Sequence, residues 1–184
     1  AGQATRHDVL GPESNRLSFC PLQFLATRED RAWAMEWIDT LLALNGVATT
    51  PQQRNEIGMA VVNMQSEQAR TLSEFRLMVQ DNAIRSALEP YTVGASMGGL
   101  LDADSDSLSL TDFSVFEIGE LMGLGDRFAL PVLLYLFRRI ERQLDGRPAL
   151  IVLDEAWLAL GHPVFRARIR QWLKTLAKLN CAVV

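Results

Sequence analysis

The chain has 184 residues, 48% of them hydrophobic and 22% charged, with a formal net charge of -4 and a pI near 5.2. That length holds one domain with its own core, or a small core plus a lid, and the composition excludes a disordered chain. The acidic balance argues against a surface that grips nucleic acid along its whole length, although it leaves room for a local basic stripe.

The longest apolar run, residues 129–137, is interrupted by Pro131 and falls far short of the roughly 20 residues a bilayer span needs. The first twelve residues are polar and mixed, unlike a signal peptide. The absence of an initiator Met and the apolar end at Cys181-Ala182-Val183-Val184 read as a piece of a longer protein. Cys20 and Cys181 sit in apolar stretches and read as reduced, buried thiols, with no C-x-x-C or Cys/His cluster to suggest a metal.

Residues 1–26 are short and irregular in pattern, with a strand-like patch at 17–20 before Pro21. Thr27-Arg28-Glu29-Asp30 then resembles a helix start, and Trp33, Trp37, Leu41 and Leu44 share one helical face up to a stop at Gly46. Thr50-Pro51-Gln52-Gln53 opens a second helix, to about Met64, and Thr71-Leu72-Ser73-Glu74 a third, with Leu72, Phe75 and Val79 inward. A short helix at 83–88 stops before Pro90, and the glycine-rich stretch 91–101 reads as a loop.

Beyond it the period alternates. A strand is expected at 113–118, a helix at 129–144 closed by Gly146-Arg147-Pro148, and a strand buried on both faces at 149–153. A helix follows at 164–179 with Phe165, Ile169, Trp172 and Leu176 on one side, then a last strand from Cys181. This alternation predicts an α/β fold with a parallel sheet flanked by helices.

The motif that carries chemistry is Leu150-Ile151-Val152-Leu153-Asp154-Glu155, a buried strand that ends in two carboxylates. Ligands of such sheets bind beyond the carboxyl ends of the strands. There Asp154 suits the magnesium ion of a bound nucleotide, directly or through water, and Glu155 suits activation of the attacking water. The same string also fits an ordinary strand end followed by a polar helix cap. No G-x-x-x-x-G-K-[ST] occurs, and the sequence contains no Gly-Lys pair, so this chain supplies no phosphate loop. The isolated chain is therefore expected neither to bind ATP tightly nor to hydrolyse it.

These residues resemble a known family. Leu100-Leu101-Asp102-Ala103, Val115-Phe116-Glu117-Ile118-Gly119-Glu120-Leu121-Met122, Leu153-Asp154-Glu155-Ala156-Trp157-Leu158 and Gly161-His162-Pro163-Val164-Phe165-Arg166 look like the conjugal-transfer ATPases of the TrbE type. So do the run from Pro131 to Glu141, Ser18-Phe19-Cys20-Pro21-Leu22 and the segment around Trp33 and Trp37, so that the likeness covers nearly the whole chain.

The resemblance implies a partial RecA-like P-loop NTPase core with an inserted all-helical lid. Residues 1–26 and 101–184 would belong to the core and 27–100 to the lid, with the phosphate loop upstream. It implies ATP and Mg2+ as cofactors, and matches Asp154 and Glu155 to the family's second nucleotide motif. It implies a homo-oligomer, hexamer or dimer, on the cytoplasmic side of the inner-membrane secretion channel, working with other type IV secretion components. The motor would power channel or pilus assembly and DNA or protein transfer. A non-catalytic helical interaction module and a hexameric DNA translocase stand as alternatives.

Other groups read more plainly. Arg166, Arg170, Lys174 and Lys178 recur every fourth residue, with Arg168 beside them: either a solvated helix face, or arginines reaching a neighbouring subunit's nucleotide. The resemblance lifts Arg166, Arg168 and Arg170 without choosing among them. Asp102, Asp104 and Asp106 alternate as in a calcium loop but lack its Gly and Glu, and read as a polar turn. His162, before Pro163, reads as a cap or turn residue, and His7 as isolated from any partner carboxylate. Trp33, Trp37, Trp157 and Trp172 read as core residues.

Overall fold

The computed structural model describes residues 5–11, 17–154 and 161–184, and the chain divides into two units, Ala1–Leu121 and Met122–Val184.

In the first unit, helices begin where hydroxyl or carboxylate caps precede apolar periodicity. α1 (Arg28–Leu44) opens at Thr27, whose side-chain oxygen accepts from the Asp30 amide at 3.0 Å. Glu29 and Asp30 set negative charge against the positive end of the helix dipole. The helix buries Ala34, Trp37, Ile38, Leu41 and Leu42, a stripe rotated from the expected one. Trp33 and Leu44 are only half-buried, and Trp33 stacks on Trp37 with ring centroids 5.9 Å apart. At its end Gly46 takes φ 78°, its amide donating to Ala43 at 3.0 Å and the Val47 amide to Leu42 at 2.9 Å. This is a Schellman turn, which uses the left-handed freedom of glycine.

α2 (Pro51–Met64) has the full reciprocal cap. The Gln53 amide donates to the Thr50 hydroxyl at 3.2 Å, and the Thr50 amide donates to the Gln53 side chain at 2.9 Å. Thr71 caps α3 (Leu72–Met78), and Asp81 caps α4 (Asn82–Leu88) by accepting from the Ala83 and Ile84 amides. Pro90 follows in a 3-10 turn, Glu89–Tyr91. The stretch expected to be all loop holds one helical turn, α5 (Gly98–Leu101). A Cβ on Gly98 would lie 2.1 Å from the Thr92 carbonyl oxygen, so only glycine lets the chain pass there.

β1 (Thr5–Val9) pairs in parallel with β2 (Phe113–Glu117), Thr5 opposite Phe113 and Val9 opposite Glu117. β2 is the strand expected near 113–118, but β1 lies in a segment expected to be irregular. Its polar sequence gains a ladder only from a strand far away in the chain. Residues 17–20 join no ladder. Phe19 instead donates its amide to Leu100 at 2.7 Å and accepts from Ala103 at 3.1 Å, which seats Leu17, Phe19 and Cys20 in the core beside Leu22 and Leu25. A short helix, α6 (Gly119–Gly123), follows β2.

In the second unit, α7 (Asp126–Gln143) starts three residues before the expected 129, after Gly125 at φ 84°. Pro131 stays inside this helix, buried with Ala129, Leu130, Val132, Leu133, Tyr135 and Leu136. It forfeits one backbone bond there. β3 (Ala149–Ile151) and β4 (Cys181–Val183) pair in parallel, Ala149 opposite Cys181, joined through α8 (Pro163–Lys178). α8 buries Phe165, Ile169, Trp172 and Leu176 as expected, and Trp172 stacks on Phe137 with centroids 4.3 Å apart.

One expectation is overturned: the 149–153 run is not buried on both faces. Leu150 is 64% and Val152 69% exposed. The physical reason is the size of the sheet: among the described residues β3 pairs with β4 alone, and Leu150 and Val152 have nothing packed over them. The fold is thus mixed α/β with small parallel pairs, β1–β2 and β3–β4. Among the described residues no helix is long and apolar enough to cross a membrane.

Candidate functional site

The β3–α8–β4 unit positions the strand-end acid. Pairing continues past the last ladder residue of β3: the Val184 amide donates to Ile151 at 3.0 Å and the Leu153 amide to Val184 at 2.8 Å. Leu153 is therefore still held beside Val184, and Asp154 after it is a turn residue with its side chain exposed. Because the strands are parallel, their carboxyl ends lie at one edge. A carboxylate at that edge can meet a cation or a water without being desolvated. Glu155 and Trp157 lie outside the described residues.

α8 begins at His162–Pro163, with proline at the first helical position, where its missing N–H costs nothing. His162 occupies the cap position, φ -81° and ψ 127°, but its side chain makes no cap hydrogen bond. The expected cap or turn position is thus the observed one, filled through the backbone. Nδ1 of His162 is buried without a hydrogen-bond partner among the described residues, as is Nε1 of Trp172.

Arg166, Arg170, Lys174 and Lys178 are all exposed, opposite the buried face of α8, and Arg168 is half-buried. Arg166 donates to the Gly161 carbonyl at 3.2 Å, which ties the first turn of α8 back to the loop before it. Arg170, Lys174 and Lys178 form no ion pair among the described residues.

The remaining candidates resolve into structure. Asp102 is nearly fully buried and accepts from the Ser73 amide at 2.9 Å, from the Ser73 hydroxyl, and from the Val93 amide at 2.7 Å. Asp106 accepts from Gln23 at 2.7 Å and from the Leu108 amide at 2.9 Å. Among the described residues no group of His, Cys, Asp and Glu could hold a metal ion. His7 is not isolated: its Nε2 lies 3.6 Å from the Glu117 carboxylate across the β1–β2 pair, a neighbour that only the ladder supplies. Both cysteines are free and buried. Burial, then the Asp106, Asp104 and Asp102 charges, push the Cys20 thiol up to about 11, against the opposing Arg70 charge. Cys20 is therefore an inert thiol at neutral pH. The sequence offered no signal for the Asp102–Ser73 tie, because the partners are 29 positions apart.

A parallel strand–helix–strand unit with a carboxylate at the outer end of its first strand is the layout on which α/β proteins build ligand sites. No family model matches the chain. It is 58% identical over 168 residues to a probable conjugal transfer protein TrbE of Sinorhizobium fredii, covering 91% of this chain and 25% of that protein. It is 56% identical over 174 residues to the conjugal transfer protein TrbE of Rhizobium radiobacter, covering 95% of this chain and 21% of that protein. The type IV secretion system protein virB4 of Bartonella quintana is 29% identical over 160 residues, covering 84% of this chain and 20% of that protein. Over more than nine-tenths of its length the chain thus shares its sequence with a segment of TrbE-type conjugal transfer proteins, as its motifs indicate. It spans about a quarter or less of the curated relatives it matches.

Proposed function

We propose that this chain is a working segment of the ATP-hydrolysing motor of a conjugal transfer, type IV secretion apparatus. The single observation that carries the reading is Asp154, exposed at the turn that ends β3 in a parallel β–α–β unit, within a segment shared with TrbE and VirB4 proteins. In this reading Asp154 holds the magnesium ion of bound ATP through its water shell, and Glu155 orients and deprotonates the attacking water. The exposed carboxylate suits a hydrated cation. The chain has no loop to cradle phosphates, so that element comes from elsewhere in a TrbE-length protein. A RecA-like core, with residues 27–100 as a helical lid, is the fold this reading requires.

Arg166, Arg168 and Arg170 are the candidates to reach a neighbouring subunit's nucleotide. Arg170 is the simplest, being exposed and unpaired among the described residues. The working place is the cytoplasmic face of the inner membrane, beside other secretion components. The test is magnesium titration of ATP turnover by a TrbE-length protein. Asp154→Asn is expected to raise the magnesium requirement at least about tenfold, because a neutral amide is a weaker ligand for a hard cation. An unchanged magnesium requirement rejects the assignment.

A further inference from the structure

The amino end of α8 is fastened by an arginine rather than by a cap. With His162 at the cap position, Gly161 precedes the cap and Arg166 is the fourth helical residue. Apolar side chains at those two positions often pack on each other and fix the angle at which a chain enters its helix. Gly161 has no side chain to offer. The Arg166 guanidinium donates instead to the Gly161 carbonyl at 3.2 Å, which joins the same two positions. A side-chain cap is the usual alternative, but His162 makes no cap hydrogen bond.

Helix stability does not account for this arginine. The amino end of a helix carries partial positive charge, which disfavours a cation close to it. No acidic residue in the first turn of α8 offsets that charge. What the bond does is fix one end of a short link. At the other end the Leu153 amide is held on the Val184 carbonyl at 2.8 Å. Between the two anchors run residues 154–160, which begin with Asp154 and include Glu155.

We infer that Arg166 is a positioning residue that acts within its own chain. Through the Gly161 carbonyl it sets the direction in which the link meets α8, and so the placement of the strand-end acids. The inference rests on the motor reading above, and it takes Arg166 out of the set of arginines that serve a neighbouring subunit. A guanidinium engaged on its own chain's carbonyl is committed there; Arg168 and Arg170 stay in the set. A displacement of about 1 Å at reacting groups costs on the order of a hundredfold in rate, so the bond is felt in turnover more than in nucleotide affinity.

The test is steady-state ATP turnover by a TrbE-length protein, with Glu155→Gln as the reference. Arg166→Ala should lower kcat roughly tenfold or more and leave the KM for ATP within about twofold, because the bond places groups and does not hold nucleotide. Arg166→Lys keeps an N–H donor on a long stem and should recover at least about a third of the wild-type kcat, whereas lysine does not replace the planar fork of an arginine that clamps phosphate. Arg166→Met keeps the apolar stem and gives the alanine readout if the alanine variant unfolds. Mixed Arg166→Ala and Glu155→Gln subunits should turn over no faster than the sum of the two, since every site then lacks one of the two groups. Turnover well above that sum shows Arg166 serving a neighbour's site and overturns the proposal. An alanine variant within about twofold of wild type overturns it too, as does a lysine variant no faster than the alanine one. With Glu155→Gln inactive, these outcomes count against Arg166 alone. If Glu155→Gln turns over near wild type, the motor reading itself has failed and this inference falls with it.

Discussion

The Asp102 carboxylate accepts the Ser73 amide proton at 2.9 Å and so fastens the end of α5 to the first turn of α3. The same carboxylate takes the Val93 amide at 2.7 Å, so one buried side chain satisfies backbone donors from two segments and holds the glycine-rich 91–101 stretch in place.

Asp102→Ala should destabilise the chain by about 1–3 kcal/mol, because it removes the acceptor of the Ser73 amide and hydroxyl and leaves the Val93 amide only the Ser73 hydroxyl at 3.4 Å. Asp102→Asn keeps one acceptor oxygen and should cost less. Urea unfolding of the three proteins measures the order.

Gly98 and Gly99 make a matched pair. A Cβ at Gly98 meets the Thr92 backbone, while one at Gly99 meets nothing within 4 Å. Gly98→Ala is expected to cost about 1–3 kcal/mol or more through forced backbone movement, and Gly99→Ala to be near neutral or stabilising. Thermal unfolding of the two variants should separate them clearly.

Much of this architecture is legible in sequence because its determinants are local. Thr27, Thr50 and Thr71 cap the helices that follow them, and the Phe165, Ile169, Trp172 and Leu176 stripe is the buried face of α8. What is not legible is non-local. β1 has a polar sequence and exists because β2, more than a hundred residues later, pairs with it. His7 acquires Glu117 through the same ladder. Asp102 reads as one of three alternating acids until the fold brings Ser73 and Val93 to it. The apolar 149–153 run gives no hint that Leu150 and Val152 are left exposed, since an apolar string does not say how many neighbouring strands there are to cover it. At the candidate site, the place of Asp154 at a strand end follows from the apolar run before it; Glu155 lies outside the described residues.

Thr50→Ala removes one half of the α2 cap and orphans the Gln53 amide. A loss of about 1 kcal/mol is expected, seen as a lower urea midpoint with an unchanged slope.

The Cys20 thiol should resist alkylation at pH 7–8 in the folded chain and react readily once urea unfolds it. Its titration also carries a stability term. The folded value is raised from 9.0 to about 11, so the folded chain holds a proton that the unfolded chain releases. That contribution is whole below pH 9 and is lost as pH rises from 9 to about 11. Cys20→Ala should flatten this region of the stability profile.

The most direct test of the motor assignment is ATP turnover and ATP binding measured together on a TrbE-length protein carrying Glu155→Gln. The expected result is bound nucleotide at wild-type affinity with turnover reduced at least about a hundredfold, the signature of a lost water-activating base. Turnover within a few-fold of wild type would contradict the assignment of the strand-end acids to catalysis.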